Sequence, residues 1–284
     1  MTYNDFWRPL TQVYEADEAK AVARLVLELR FGLSFADILS GAVEQLDSAD
    51  THELENLHQR LLQGEPVQYV LGEAEFCGRR FMVSPAVLIP RPETAELCRM
   101  IISQRCKQPQ SPLNILDVGT GSGCIAVTLA LDMKDVHVTA WDISEAALNV
   151  ARTNAARLGA KVELFRQDAL YPPDDNEVWD IIVSNPPYVC RQEHASMPHN
   201  VKDFEPETAL FVPDDDALRF YRSIASYARQ ALKPGGWLCF EINPLYAEEI
   251  RQLLCRIGFE AVTISNDQFG KARFACSYKR EREL

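Results

Sequence analysis

The stretch Asn114-Ile115-Leu116-Asp117-Val118-Gly119-Thr120-Gly121-Ser122-Gly123-Cys124-Ile125-Ala126-Val127-Thr128-Leu129 runs from an apolar segment of strand length, through three alternating glycines, into an apolar segment of helical length. Glycines at 119, 121 and 123 let a backbone turn tightly against a ligand between a strand and a helix. A dinucleotide fingerprint would require Gly or Ala at 124, where Cys124 stands, and no phosphate-binding lysine follows the glycines. The loop therefore reads as a cofactor loop for something other than a dinucleotide or a polyphosphate.

Strand and helix patterns alternate beyond it, which predicts an α/β fold with a mostly parallel sheet covered on both faces. A second strand, 136–141, ends in Asp142. A helix over about 144–158 has Ser144 as its N-cap, and a third strand, 161–165, ends near Asp168. Asp142 lies where a carboxylate can accept both hydroxyls of a ribose, and Asp168 where it can accept from an adenine amine. With carboxylates rather than cations supplied, the expected ligand is cationic and carries a ribose and an adenine.

The fourth strand, 179–184, delivers Asn185-Pro186-Pro187-Tyr188, and the two prolines end ladder pairing there. Asn185 thus sits at a strand's carboxyl end, where open α/β sheets bind ligands. Its side-chain oxygen and the Pro186 carbonyl can accept two hydrogens from a planar NH2 group, with Tyr188 against the flat face. The plainer reading is a tight loop capped by its own Asn. After an aperiodic stretch at 189–213, which reads as a substrate-contacting cover, a helix over 215–232 closes at Lys233-Pro234-Gly235-Gly236. A fifth strand, 237–242, and a helix, 245–257, follow. Strands near 259–265 and 272–278 are expected as an antiparallel edge hairpin.

Upstream, residues 3–64 carry helical periods. Ala21, Val22, Leu25, Val26 and Leu29 recur at spacings of three and four, as do Leu54, Leu57, Leu61 and Leu62 after a capping-type Ser48-Ala49-Asp50-Thr51. Four or five helices are expected. The organisation read from the sequence is a helical bundle over 1–72, a β-hairpin linker over 73–92 and a catalytic domain over 93–284. Within Leu88-Ile89-Pro90-Arg91-Pro92-Glu93-Thr94, Arg91 is held on a stiff segment; it either faces the cleft or pairs with a nearby carboxylate.

Composition limits the alternatives. The formal charge of −12, with 7 basic and 14 acidic side chains in residues 1–85, argues against tight binding to a polyanion. No apolar run approaches the ~20 residues of a membrane helix. The opening Met1-Thr2-Tyr3-Asn4-Asp5 lacks a secretory pattern, so no membrane association and a cytoplasmic location are expected. The eight cysteines show no zinc-ligand spacing, and reduced, mostly buried thiols with no metal are expected.

Asp-Val-Gly-Thr-Gly-Ser-Gly at 117–123, Asp142 and Asn-Pro-Pro-Tyr together resemble the class I S-adenosylmethionine-dependent methyltransferases that act on planar nitrogens. That pattern leaves two targets open: adenine amino groups in nucleic acid and glutamine amides in protein. Adding Gly64-Glu65-Pro66 with Gln68-Tyr69 and Gly72, the 88–94 segment, and Phe204-Glu205-Pro206-Glu207-Thr208-Ala209-Leu210, the chain resembles the peptide chain release factor glutamine methyltransferases, the PrmC/HemK family. The ribosomal-protein glutamine methyltransferases resemble it less.

The resemblance implies a Rossmann-like, mostly parallel seven-stranded sheet with an antiparallel edge strand, behind an N-terminal helical bundle that docks substrate. It implies S-adenosyl-L-methionine, with S-adenosyl-L-homocysteine as product, held by Gly119, Thr120, Gly121, Ser122, Gly123, Asp142, Asp168 and Asn185. Asn185, Pro186 and Tyr188 would be catalytic, and Asn185, Pro186, Pro187, Tyr188 and Arg91 would meet the substrate, the glutamine of a Gly-Gly-Gln motif in release factors. A monomer is expected. At 169, where some members place an aromatic residue against the adenine, this chain has Ala169.

Overall fold

A computed structural model describes residues 1–105, 112–197 and 199–280 of the 284. The chain divides into two compact units, residues 1–73 with 197–204, and residues 74–196 with 205–284.

The first unit is helical: α1 (Tyr3–Trp7), α2 (Ala16–Phe31), α3 (Phe35–Leu39), α4 (Ser48–Leu62) and α5 (Val67–Leu71), with 3-10 turns between. Its core is built by Phe6, Leu10, Leu27, Leu54 and Leu61, among others. The buried stripe of α2 is Ala19, Val22, Ala23, Val26 and Leu27, whereas Leu25 is exposed and Leu29 half-buried. The apolar surface of this helix is wide enough that two stripes share the same three-and-four spacing, and packing chose the one one residue over. The cap of α4 is also displaced by one residue: Asp47 Oδ1, not Ser48, accepts from Ala49 N and Asp50 N at 2.9 Å each.

The second unit begins with the hairpin β1 (Glu73–Phe76) and β2 (Arg79–Met82), then α6 (Pro92–Arg105). There follow β3 (Leu113–Val118), α7 (Cys124–Asp132), β4 (Val136–Asp142), α8 (Glu145–Leu158), β5 (Val162–Arg166) and β6 (Trp179–Ser184). The stretch expected to be irregular contains β7 (Val189–Cys190), α9 (His199–Lys202), which belongs to the helical unit, α10 (Glu207–Leu210) and β8 (Phe211–Val212). These elements are too short to leave a period in the sequence. The chain continues as α11 (Arg219–Ala231), β9 (Leu232–Glu241), α12 (Ala247–Ile257), β10 (Phe259–Asn266) and β11 (Ala272–Lys279).

The seven-stranded sheet has the order β10-β11-β9-β6-β3-β4-β5. Among the described strands of this sheet β11 alone runs opposite to the rest, and it lies one place in from the edge, between β9 and β10. A hairpin is antiparallel by construction; here its returning strand fills the gap beside β9 and leaves β10 outside. Strand β9 starts earlier than the sequence predicts, because Lys233-Pro234-Gly235-Gly236 is a bulge rather than a stop: the register with β6 shifts between Trp179 and Ile181.

One face of the sheet packs on α6 and α7 through Leu97, Ile101, Ile125 and Leu129, the other on α11 and α12 through Tyr221, Ile224, Ile250 and Leu254. What matters for function is that β3 pairs with β4 on one side and β6 on the other. Successive connections diverge there, and the carboxyl ends of β3, β4 and β6 open a crevice.

Seven cysteines are free thiols, five of them buried; Cys106 lies outside the described residues. Among the described residues no helix is long and apolar enough to cross a membrane, and no three His, Cys, Asp or Glu side chains are grouped to hold a metal.

Candidate active site

A cavity of about 320 Å³ occupies that crevice. Its floor is the loop between β3 and α7. Gly119, Gly121 and Gly123 have φ of 77°, 55° and 81°. At Gly123 a Cβ would lie 3.1 Å from that of Ala151, so the left-handed turn and the close packing of α8 both demand glycine. At Gly119 and Gly121 a Cβ would meet no protein atom within 4 Å, and both residues line the cavity. The space above them is left open by the protein itself.

The loop is held from below. Gly119 N and Thr120 N both donate to Trp141 O, at 2.9 and 2.8 Å. Thr120 Oγ1 and Ala126 N donate to Asp117 Oδ2 at 2.6 and 3.2 Å, while Asp117 Oδ1 has no partner. Burial pushes this carboxyl up to about 7.

Asp142, at the end of β4, accepts from Gly121 N through Oδ2 and from Ser144 N through Oδ1, at 2.9 Å each. Burial raises its carboxyl above the usual range, against the N–H groups that favour the charged form. Each oxygen keeps acceptor capacity at the cavity wall. Asp168, one strand further, accepts from Leu170 N at 2.8 Å and also lines the cavity, next to Gln167 and Ala169. Two carboxylates facing a space bounded by bare backbone suit a ligand with several hydroxyl and amine donors. A nucleoside with a cationic side arm fits that donor set, and a polyphosphate does not.

The far wall comes from β6. Ser184 Oγ donates to Val118 O at 2.6 Å and joins the ends of β6 and β3. Asn185, Pro186 and Pro187 then line the same cavity as Asp142 and the glycine loop. Asn185 Nδ2 donates to Thr94 Oγ1 at 3.2 Å, which leaves its Oδ1 as the uncommitted end of the amide. Tyr188 is not among the residues lining the cavity. It packs against the core cluster that includes Tyr221 and Phe240, and its hydroxyl donates to Glu241 Oε1 at 3.3 Å. Burial, followed by the Glu241 charge, raises the phenol far above its ordinary range.

Arg91 satisfies both readings offered for it: it lines the cavity, and its Nη2 pairs with Glu205 Oε1. Glu205 is buried and also accepts from Ile89 N at 3.1 Å, so one carboxylate clamps two residues of the 88–91 segment. Sequence reasoning gave no role to Glu205, Thr94 or Glu241. Glu205 and Thr94 fell within quoted stretches, and that was their only signal; Glu241 ends a strand otherwise read as packing.

Two family models match, the PrmC N-terminal domain over residues 10–72 and the methyltransferase small domain over residues 100–203. A release factor glutamine methyltransferase of Bacteroides thetaiotaomicron is 46% identical over 265 residues, spanning 93% of this chain and 94% of its own. One of Streptococcus pneumoniae is 36% identical over 92% of each chain. In fold, the crystal structure of a methyltransferase from Pyrococcus furiosus superposes with a TM-score of 0.52 at 18% identity, covering 80% of this chain and 99% of that one.

Proposed function

The chain belongs to the release factor glutamine methyltransferases, and on that premise we propose that it methylates the side-chain amide nitrogen of the glutamine in the Gly-Gly-Gln motif of peptide chain release factors. The observation that carries this reading is a single cavity lined both by Asp142 with the glycine loop and by the Asn185-Pro186-Pro187 corner.

When bound, S-adenosyl-L-methionine supplies an electrophilic methyl group on a sulfonium cation. Asp142 would hold the ribose hydroxyls and Asp168 the adenine amine, with residues 119–123 as the floor beneath the nucleoside. Asn185 Oδ1 and the Pro186 carbonyl accept the two hydrogens of the substrate amide. An amide nitrogen is a poor nucleophile because its lone pair is delocalised. Two acceptors at its hydrogens aim the nitrogen and stabilise the positive charge that grows on it. No base is needed before transfer, since the proton leaves afterwards. Pro187 and Arg91 bound the space around the glutamine. Tyr188 acts from behind the corner, through Glu241, rather than on the face of the amide.

We further assign residues 1–72 to substrate docking, 73–92 to a linker and 93–284 to catalysis, in a cytoplasmic monomer. The charge of −12 supports a protein substrate over a nucleic acid.

Mass spectrometry of a purified release factor, after incubation with this protein and S-adenosylmethionine, tests the reading. One added methyl on the native factor, absent when the Gly-Gly-Gln glutamine is replaced by alanine, supports it. No methyl on the factor, with transfer instead to ribosomal protein or to adenine in nucleic acid, overturns the substrate.

A further inference from the structure

The two ends of an asparagine amide have nearly the same shape, so sterics alone do not decide whether Asn185 shows its oxygen or its NH2 to the cavity. A chain of buried groups behind it does. Thr94 Oγ1 donates to Glu241 Oε2 at 2.6 Å. A hydroxyl has one hydrogen, and with that hydrogen committed to Glu241 the Thr94 oxygen offers Asn185 only lone pairs. It therefore faces Nδ2, at 3.2 Å, and Oδ1 is left for the cavity. Glu241 closes the chain with its other oxygen, which accepts from Tyr188 at 3.3 Å. Thr94 is 3% and Glu241 1% exposed, so water does not compete for these bonds.

We propose that Thr94 and Glu241 are positioning residues that hold the Asn185 amide with its oxygen toward the substrate, Glu241 acting as the terminal acceptor that sets the direction of the whole chain. This rests on the reading of Asn185 as an acceptor for the substrate amide. The network spans three elements: Thr94 is in the first turn of α6, Glu241 ends β9, and Asn185 and Tyr188 follow β6. Burial raises the Glu241 carboxyl above its usual range, while the Thr94 hydroxyl, the charge of Arg273 on β11 and the Tyr188 hydroxyl work in the opposite direction. The competing view is that the Thr94–Glu241 bond merely fastens α6 to β9; it predicts lower stability without any selective effect on turnover.

The variants Thr94→Val, Thr94→Ser and Glu241→Gln distinguish the two. Thr94→Val removes the acceptor at nearly constant volume and should lower kcat by about tenfold or more, with affinity for S-adenosylhomocysteine changed by no more than about twofold. Thr94→Ser keeps the hydroxyl and should restore most of the turnover. Glu241→Gln leaves Thr94 facing an amide that can donate as well as accept, so the direction of the chain is no longer fixed and turnover should fall toward that of Thr94→Val; Thr94→Ala, which also removes the hydroxyl, serves as the test should Thr94→Val not fold. In an Asn185→Ala background Thr94→Val should cost nothing further. Turnover of folded Thr94→Val or Thr94→Ala within about twofold of the wild type would overturn the proposal, as would a full additional loss in the Asn185→Ala background.

A measurement independent of turnover separates this inference from the substrate assignment. The side-chain NH2 resonances of Asn185, identified by their absence in Asn185→Ala, should shift in Thr94→Val and Glu241→Gln while distant backbone amides stay in place. Unmoved resonances reject the positioning role even if release factor is methylated. Shifted resonances support it even if the wild-type protein proves to act on another amide.

Discussion

Asn154 and Met82, on α8 and β2, exchange two hydrogen bonds: Met82 N donates to Asn154 Oδ1 at 2.6 Å, and Asn154 Nδ2 donates to Met82 O at 2.9 Å. The same NH2 also donates to Ser122 O at 2.9 Å. A fully buried side chain thus satisfies three backbone groups and ties the hairpin to the cofactor loop. Asn154→Leu fills the volume but leaves all three unpartnered, and should destabilise by about 3 kcal/mol or more. Urea unfolding of the two proteins checks the value, and binding of S-adenosylhomocysteine should weaken alongside.

Asn185→Ala removes the oxygen assigned to the substrate amide. The expected loss is about 3 kcal/mol of transition-state stabilisation, by analogy with a deleted oxyanion donor. Steady-state methylation of release factor measures it. Near-normal turnover would remove Asn185 from the mechanism.

Asp142→Ala leaves Gly121 N and Ser144 N without their acceptor and takes away the group assigned to the ribose. Affinity for S-adenosylhomocysteine should fall by about tenfold to a hundredfold in calorimetry, worth about 1.4 to 2.8 kcal/mol. An unchanged affinity would place the nucleoside elsewhere.

Burial pushes the Asp117 carboxyl up to about 7, from the ordinary 3.8 of an exposed aspartate. The folded state therefore binds the extra proton, and the stability it contributes is complete below the unfolded value and lost as pH climbs through the folded one. The stability difference between wild type and Asp117→Asn, from denaturant unfolding without cofactor, should shift against the wild type between pH 4 and 7. A difference independent of pH would mean that this carboxyl is not strained by its burial.

His58 works in the opposite direction. Its ring packs at 4.9 Å from that of Phe6, Nε2 has no partner, and burial depresses its affinity for a proton below the usual 6.5. Stability from the neutral ring is present above that value and is lost as pH falls below it. The protection factors of α4 amides against hydrogen exchange should fall on acidification below pH 6.5, and His58→Phe should suppress the effect.

The sequence reading located what lies at strand ends. Asp142 and Asn185 each close an apolar run that stops abruptly, Asp168 comes two residues after a strand of alternating pattern, and both signals are local. It misplaced the α2 stripe because Leu25 and Leu27 are equally apolar, and only the opposing helices decide which is buried. It took Pro234-Gly235-Gly236 as a terminator because a bulge inside a strand has the same composition as a turn. The Thr94–Glu241 and Arg91–Glu205 pairs were beyond reach for another reason: their partners lie 147 and 114 residues apart, and nothing periodic links them. Tyr188 was assigned to the cavity because its neighbours are there; its half-buried ring packs against the core cluster beside the corner instead.

The double grip of Glu205 on Ile89 and Arg91 bears on how an incoming peptide is received. Two stretches of wall that would otherwise sample many conformations are already stitched to each other before any ligand arrives. The ordering cost of that part of the cavity mouth falls on folding rather than on association, so more of each contact with substrate is left to appear as affinity.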